Sequence, residues 1–293
     1  NRKLEYKLRA VEMFWACLPL KTYPSEELES LWKKLLINQF HDIIPGSSIN
    51  LVYQTTHREY EEIHESCDGL INQAGQALFD DDPDSFVLAN TLSYPWQGMV
   101  HIPELFSGYS ILDENGQPVP LQETAGGFSA AVDLKPLSFT TFSKGDPVKS
   151  GMKKGERLTL ENDLIRYEFD NHGQLVSAFD KEVKKDVLNG AGNVLSLYED
   201  RPNDWDAWDV DFYYRDALME AAVASNAVPG STGDVVQELK FSLLVGNSKI
   251  EQTVSLNPNS KRLDFYTSID WKEKHKMLRV HFPVNVRSEQ ASF

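Results

Sequence analysis

The chain has 293 residues, and its 29 lysines and arginines stand against 44 aspartates and glutamates, which gives a formal net charge of −15. This acidity excludes a nucleic-acid-binding protein, because phosphate recognition needs a clustered basic surface and no stretch of the sequence supplies one. A hydrophobic fraction of 41% beside 25% charged residues excludes a disordered chain. No apolar run is long enough to span a membrane and no secretory signal follows Asn1, so we expect neither.

The first 80 residues carry the 3.6-residue period of three amphipathic helices joined by short turns. The second helix has Ser25 as its predicted N-cap and continues to Phe40, and the third helix begins at Ser47 or Ser48. Three such helices bury their stripes against one another, so we predict a three-helix bundle over residues 1–82. The stripe of the first helix comprises Leu4, Leu8, Val11, Trp15 and Leu18.

Two cysteines occur, Cys17 and Cys67, each on an apolar stripe of a predicted helix. This placement favours buried free thiols over a disulfide, and free thiols are typical of a reducing compartment. The sequence also contains no Asn-x-Ser/Thr acceptor for N-glycosylation. We therefore predict a cytoplasmic protein.

Beyond an acidic linker at 80–84 the hydrophobic period changes from 3.6 to 2, which is the period of β-strands. Turn signals such as Asn115-Gly116 and Gly246-Asn247 separate the alternating segments. We predict a small β-sandwich unit at 85–148 and part of a larger β-sandwich at 155–293. The predicted fold class is α+β, a three-helix bundle followed by antiparallel β-sandwich domains.

The first chemically unusual segment is 38–48, Asn-Gln-Phe-His-Asp-Ile-Ile-Pro-Gly-Ser-Ser. It places His41 and Asp42 at the carboxyl end of the second helix, where side chains can project into a neighbouring cleft. Imidazole is a good zinc ligand, and an adjacent carboxylate can bind sugar hydroxyls or orient the imidazole ring. Spacing alone favours a structural role instead, with a protonated His41 complementing the helix C-terminus and Asp42 bonded to the turn.

The second unusual segment is 198–214, in which carboxylates alternate with aromatic side chains. Sugar sites use this combination, because aromatic faces cover the apolar face of a sugar ring while carboxylates accept hydrogen bonds from its hydroxyls. An edge loop whose tryptophans anchor it to the core, with its acids in water, explains the composition equally well. The composition leaves both interpretations open.

Several motifs together resemble glycoside hydrolase family 38, the α-mannosidases, and in particular its bacterial branch. Residues 38–48 are similar to the motif of the family's central domain. Further similar segments follow in the family's order, at 160–173, 200–214 and 282–286.

This resemblance implies a retaining α-mannosidase, in which one carboxylate forms a covalent glycosyl-enzyme intermediate and a second acts as acid and base. The family binds zinc through a His-x-Asp pair and the nucleophilic Asp of an N-terminal domain, together with the histidine of this motif. His41 then maps to a zinc ligand, and Asp42 to the acid that hydrogen-bonds mannose hydroxyls. The loop residues implied to form a wall of the same cleft are Trp205, Asp206, Trp208 and Asp209.

One part of the family pattern is missing, because no His-x-Asp occurs in these 293 residues. We therefore expect a fragment of a longer mannosidase, without the N-terminal catalytic domain and ending inside the large β domain. Such a fragment supplies one zinc ligand and part of the sugar-site wall, contains no catalytic residue itself and is inactive alone. Its expected partner is a mannose-containing glycan. We also expect the longer mannosidase to form a homo-oligomer.

Two other functions remain open. One is a non-catalytic carbohydrate-binding or structural module, in which the bundle and the sandwiches order a neighbouring domain. The other is a different β-rich glycosidase with its acid and base inside the loop, which requires two carboxyl groups about 5–5.5 Å or 6.5–9.5 Å apart across a cleft. The acids of the loop are close in sequence, which disfavours this second alternative.

Overall fold

A computed structural model of the chain describes residues 1–149, 151–205 and 208–290. The chain divides into two compact units, and each is assembled from segments that are separate in sequence. Unit 1 comprises residues 1–96, 134–140 and 202–210, and unit 2 comprises 97–133, 141–201 and 211–293.

Unit 1 is built on three helices, α1 Arg2–Ala16, α2 Ser25–Ile37 and α3 Asn50–Leu78. Their apolar stripes face one another, as the sequence predicts, and Trp15 donates its indole N–H to the Leu70 carbonyl over 3.1 Å. The three-helix bundle is confirmed. Its buried core consists of Leu4, Leu8, Val11, Leu28, Leu31, Leu35, Ile63, Cys67 and Leu70.

The ends of α2 differ from the prediction. Ser25 is the first helical residue and not the N-cap, a position that Pro24 occupies. The helix ends at Ile37 and not at Phe40, because the N–H groups of Gln39 and Phe40 bond to carbonyls three residues back instead of four.

The start of α3 also lies later than the predicted Ser47 or Ser48. Ile49 is the extended N-cap residue, and Asn50 begins the helix. The backbone N–H of Ser48 bonds to the hydroxyl of Tyr53 at 2.9 Å, so a side chain of the helix satisfies the donor of the preceding segment. The residues before α3 therefore form a turn instead of a further helical turn.

The two cysteines lie in different environments. Cys67 is fully buried in the bundle core, but Cys17 is exposed, so the prediction of a buried thiol was wrong at Cys17. Cys17 is the C-cap of α1 and follows its last turn, where the apolar stripe no longer faces the core. Neither cysteine forms a disulfide.

Unit 1 also contains the strand β1 Ser85–Asn90. The segment 134–140 belongs to the same unit. Its Phe139 ring packs between the rings of Phe14 on α1 and Phe79 at the end of α3. The ring centroid of Phe139 lies 4.9 Å from that of Phe14 and 5.2 Å from that of Phe79, both nearly edge to face. This aromatic cluster attaches the segment to the bundle.

The remaining strands form antiparallel sheets, most of whose residues belong to unit 2. They are β2 Trp96–His101, β3 Tyr109–Leu112, β4 Leu121–Thr124, β5 Gly127–Leu134, β6 Ser138–Pro147, β7 Thr159–Glu161, β8 Ile165–Phe169, β9 Leu175–Asp180, β10 Lys185–Asp186, β11 Val194–Glu199, β12 Leu218–Ala221, β13 Val223–Pro229, β14 Gln237–Val245, β15 Ser248–Leu256, β16 Leu263–Asp270 and β17 Lys276–His281.

The strand orders in unit 2 are β2-β5-β4, β10-β9-β8-β7, β12-β11-β17 and β13-β14-β15-β16, and β3 pairs with the later part of β6. The predicted α+β class, with a helical bundle followed by antiparallel, sandwich-like sheets, is confirmed. The predicted domain boundaries of 1–82, 85–148 and 155–293 stay a prediction. No helix in the described part of the chain combines the length and apolar character needed to cross a membrane.

The β14–β15 hairpin shows how sequence period builds the core of unit 2. Alternate residues of both strands are buried, and Gly246-Asn247 forms the connecting turn with Gly246 at φ 57. Glycine adopts this left-handed backbone conformation at no steric cost. The register pairs Leu239 with Val254 and Leu243 with Ile250, so four inward side chains meet across the hairpin.

One central strand, β11, carries no alternation and is one of several strands that were not predicted. Four of its six residues are buried in succession, because both of its faces are covered. A fully buried strand reads as a short apolar run, which periodicity does not distinguish from other structures. β11 pairs with β12 on one side and with β17 on the other.

A buried carboxylate, Glu273, holds the connection between β16 and β17 against the β14–β15 turn. It accepts hydrogen bonds from the Lys276 ammonium, the Asn247 backbone N–H and the Ser248 hydroxyl. The bond from Lys276, followed by that from Asn247, holds the pKa of Glu273 below its ordinary value of 4.5.

The lowered pKa of Glu273 predicts an acid-sensitive unit 2. Stabilisation by a carboxyl group with a depressed pKa is present above its ordinary value and is lost as the pH falls through the folded-state pKa. We expect Glu273→Gln to lower the urea midpoint at pH 7, and we expect its difference from the unmodified chain to shrink as the pH falls below 4.5. The exposed Glu289→Gln variant is the control. A difference that stays the same as the pH falls would contradict the prediction.

The two thiols predict a simple labelling result. Burial raises the pKa of Cys67 to about 11, so its thiol is protonated and shielded at pH 8. We expect one thiol to react with a disulfide reagent in the folded chain and two to react in denaturant. A Cys17→Ser variant should be unreactive when folded, and rapid labelling of that variant would show that the core of unit 1 is open.

Candidate functional site

The predicted His-Asp pair lies on an exposed turn directly after α2. The Phe40 carbonyl accepts hydrogen bonds from the N–H groups of Ile43 at 2.8 Å and Ile44 at 3.1 Å, so His41 and Asp42 are the middle residues of the turn. Their side chains are 68% and 57% exposed. The backbone of the turn is therefore fixed by hydrogen bonds while both candidate side chains stay accessible.

The surroundings of His41 are aromatic and acidic. Its Nε2 atom lies 3.4 Å from the Asp42 Oδ2 atom. The imidazole centroid lies 4.3 Å from the Phe40 ring, and 6.5 Å from the Trp208 ring in an edge-to-face arrangement. The turn and the Trp208 loop are far apart in sequence, yet both belong to unit 1. The structure therefore brings together the two segments that the sequence analysis singled out separately.

The loop at 202–210 is closed by its own backbone. The Trp205 carbonyl accepts the N–H groups of Trp208 and Asp209, both at 2.9 Å. Trp205 has a φ of 60 and a side chain that is 74% exposed. A left-handed backbone costs a non-glycine residue about 1–2 kcal/mol, and such strain is concentrated at functional sites. Asp206, the remaining predicted residue of the loop, lies outside the described residues.

The exposure of the loop bears on the two interpretations of its composition. Trp205 and Trp208 are mostly exposed, and Asp209 is exposed beside them. Tryptophans that anchored the loop to the core would be buried, so the anchoring role is not supported. Accessible indole faces next to carboxylates and an imidazole have the chemistry of a sugar-binding surface.

His41 can contribute to a metal site but cannot form one within the described residues. No group of three or more histidine, cysteine, aspartate or glutamate side chains there is arranged to hold a metal ion. Zinc in proteins takes three or four protein ligands. The exposed imidazole with a carboxylate beside it fits one ligand of a site whose other ligands come from elsewhere.

Sequence reasoning missed the residues that hold the turn in place. Asn38 is 1% exposed, and its amide donates to the Lys34 carbonyl at 2.9 Å and to the Glu59 carboxylate at 2.7 Å. Tyr53 bonds to the Ile43 carbonyl at 3.0 Å through its hydroxyl. The polar Asn38 at the end of an otherwise apolar stripe was the available signal for the first contact. No local pattern marks the second, because Tyr53 lies on the next helix.

Comparisons with known protein families match most of the chain. Residues 1–78 match the family model described as the alpha mannosidase middle domain. Residues 160–293 match the C-terminal domain of the glycosyl hydrolases family 38. The first match covers the whole bundle with the His41 turn, and the second covers the 198–214 segment.

The individual relatives that match the chain are alpha-mannosidases. Human alpha-mannosidase 2C1 is 29% identical over 303 residues, a match that covers 100% of this chain and 28% of the human protein. Alpha-mannosidase G of Dictyostelium discoideum is 27% identical, with 100% of this chain and 31% of that protein covered. Alpha-mannosidase of Saccharomyces cerevisiae is 25% identical, with 92% and 23% covered. The chain thus spans between a quarter and a third of the length of most of these relatives.

Proposed function

Since this chain belongs to the family 38 α-mannosidases through its middle and C-terminal domains, we propose that it contributes one side of a mannosidase active site. The single observation that carries this proposal is the exposed turn of unit 1, on which His41 and Asp42 lie beside the Trp208 ring. An imidazole, a carboxylate and the edge of an aromatic ring thus meet on one accessible surface. The bound group is a terminal α-D-mannoside of a glycan.

His41 is the proposed zinc ligand, and Asp42 is the proposed acceptor of mannose hydroxyls. Zinc, when bound, supplies a Lewis acid that holds the sugar hydroxyls. The Asp42 carboxylate lies 3.4 Å from the His41 ring, so it can also orient the ring while its second oxygen accepts a sugar hydroxyl. Trp205, Trp208 and Asp209, with Asp206, form the proposed wall on the other side of the sugar.

The bond-breaking groups of the proposed reaction come from outside this chain. A retaining glycosidase needs one carboxylate as nucleophile and a second as acid and base. Within the chain, His41 and Asp42 are assigned to binding and positioning, and the relatives extend well beyond the aligned segment. We therefore assign no catalytic residue here and propose that the chain alone is inactive.

A non-catalytic carbohydrate-binding or structural module is the second candidate. The exposed Trp205 and Trp208 beside acidic residues favour it, because they suit sugar binding without any chemistry. The cytoplasmic location, the homo-oligomeric parent and the bacterial branch of the family stay predictions. The two candidates differ in what His41 does for turnover.

The isolated chain tests the shared-site proposal. Because one histidine cannot hold zinc tightly, we expect no hydrolysis of an aryl α-mannoside by the 293-residue chain, with or without added zinc. The reaction is followed by release of the aryl alcohol, with the longer mannosidase as positive control. Metal-dependent turnover by the isolated chain would refute the proposal.

His41→Ala in the longer mannosidase separates the two candidates. We expect bound zinc to be lost and kcat/KM to fall more than about 100-fold, with little change in the circular dichroism spectrum, since the ring is exposed and supports no core. The control is His57→Ala, which removes another exposed histidine of unit 1. Near-normal kcat with a lowered melting temperature would favour the structural module instead.

A further inference from the structure

The turn that carries His41 and Asp42 shares one residue with the turn that follows it. The Ile43 N–H closes the first turn by donating to the Phe40 carbonyl at 2.8 Å. The Ile43 carbonyl accepts the Gly46 N–H at 3.1 Å and so closes the second. Any displacement of Ile43 therefore moves the His-Asp turn.

The Tyr53 hydroxyl holds Ile43 from outside both turns. It accepts the Ser48 N–H at 2.9 Å and lies 3.0 Å from the Ile43 carbonyl oxygen. The backbone N–H can only donate and the carbonyl oxygen can only accept, so the phenol proton points to Ile43. One hydroxyl thus joins two backbone sites on either side of Pro45-Gly46.

The anchor of this contact is rigid. Tyr53 belongs to the first turn of α3, and the core of the bundle fixes that helix through buried residues such as Ile63 and Cys67. The turn itself is mostly exposed, and Gly46 has a φ of 92, which glycine adopts at no steric cost. Through Tyr53 the helix therefore adds a restraint on the turn to the backbone bonds that close it.

We propose that Tyr53 is a positioning residue that sets where His41 and Asp42 stand relative to zinc and mannose. The inference rests on the proposed function of those two residues. Tyr53 touches neither ligand, and it acts through the Ile43 peptide and the turn that this peptide closes. Groups that orient metal ligands typically change affinity or activity about 10–100-fold when removed.

Tyr53→Phe removes the hydroxyl and keeps the ring. In the longer mannosidase we expect kcat/KM and the affinity for zinc, measured by competition with a chelator, each to fall about 10–100-fold. The matched control is Tyr167→Phe, because the Tyr167 hydroxyl also donates to a backbone carbonyl, that of Lys261, in unit 2. With that control, kcat/KM and zinc affinity should stay within about twofold of the unmodified protein, a change far smaller than the loss expected for Tyr53→Phe.

A second measurement tests the hydroxyl contact without relying on activity. In the 293-residue chain, Tyr53→Phe should speed hydrogen exchange of the Ser48 amide and shift the NMR signals of the His41 ring, while Tyr167→Phe should do neither. Unchanged Ser48 exchange would overturn the proposal, because the Tyr53 hydroxyl would then not restrain the backbone next to the turn.

The combined outcomes separate the two proposals. Faster Ser48 exchange with normal kinetics and zinc affinity overturns the positioning role; if His41→Ala is nevertheless inactive, the proposed function stands. If His41→Ala is also active, the proposed function has failed and the positioning role fails with it. A lower melting temperature alone, with normal zinc affinity, would show a purely structural tyrosine.

Discussion

Packing of α1 and α2 against α3 is the constraint on which the candidate site depends. Leu35, near the end of α2, and Ile63 on α3 are both fully buried, so neither helix can shift without opening the core. Asn38 adds a directional contact, because its buried amide reaches the Glu59 carboxylate of α3. An unpaired polar group at this depth costs about 1–3 kcal/mol, so the register of the two helices is specified as well as their distance.

The bundle thereby separates two demands that conflict in a binding turn. A metal or sugar ligand must be accessible, but it must also be held close to its productive geometry. His41 and Asp42 meet the first demand through exposed side chains, and the backbone bonds of Phe40 and Ile43 meet the second. Ordering is imposed on the main chain, and the side chains are left available to a ligand.

Stability and the proposed chemistry depend on the structure in different ways. Each unit has its own buried core, a helical cluster in unit 1 and a sheet cluster in unit 2. The proposed site, by contrast, depends on one imidazole, one neighbouring carboxylate and two indole rings. Stability is a sum over many local contacts, whereas a zinc site fails when one of its few ligands is missing.

The sequence by itself determined the three helices, most of the strands and the residue types of the candidate site. These follow from local rules: apolar period gives element type and inward face, and the His-Asp pair next to Pro45-Gly46 predicts a turn. The same rules misplaced Ser25 and Cys17, which lie at helix ends where a stripe no longer predicts burial. They also missed several strands, among them β11, whose two covered faces leave no alternation to detect.

Only the tertiary structure decided which of these residues meet. The approach of Trp208 to His41, and the bond from Tyr53 to Ile43, join segments whose separation in the chain carries no periodic signal. Such contacts are set by how α2 and α3 pack and by where the 202–210 loop returns to unit 1. Local sequence specifies what each segment can become, and burial of the shared core selects the neighbours that it acquires.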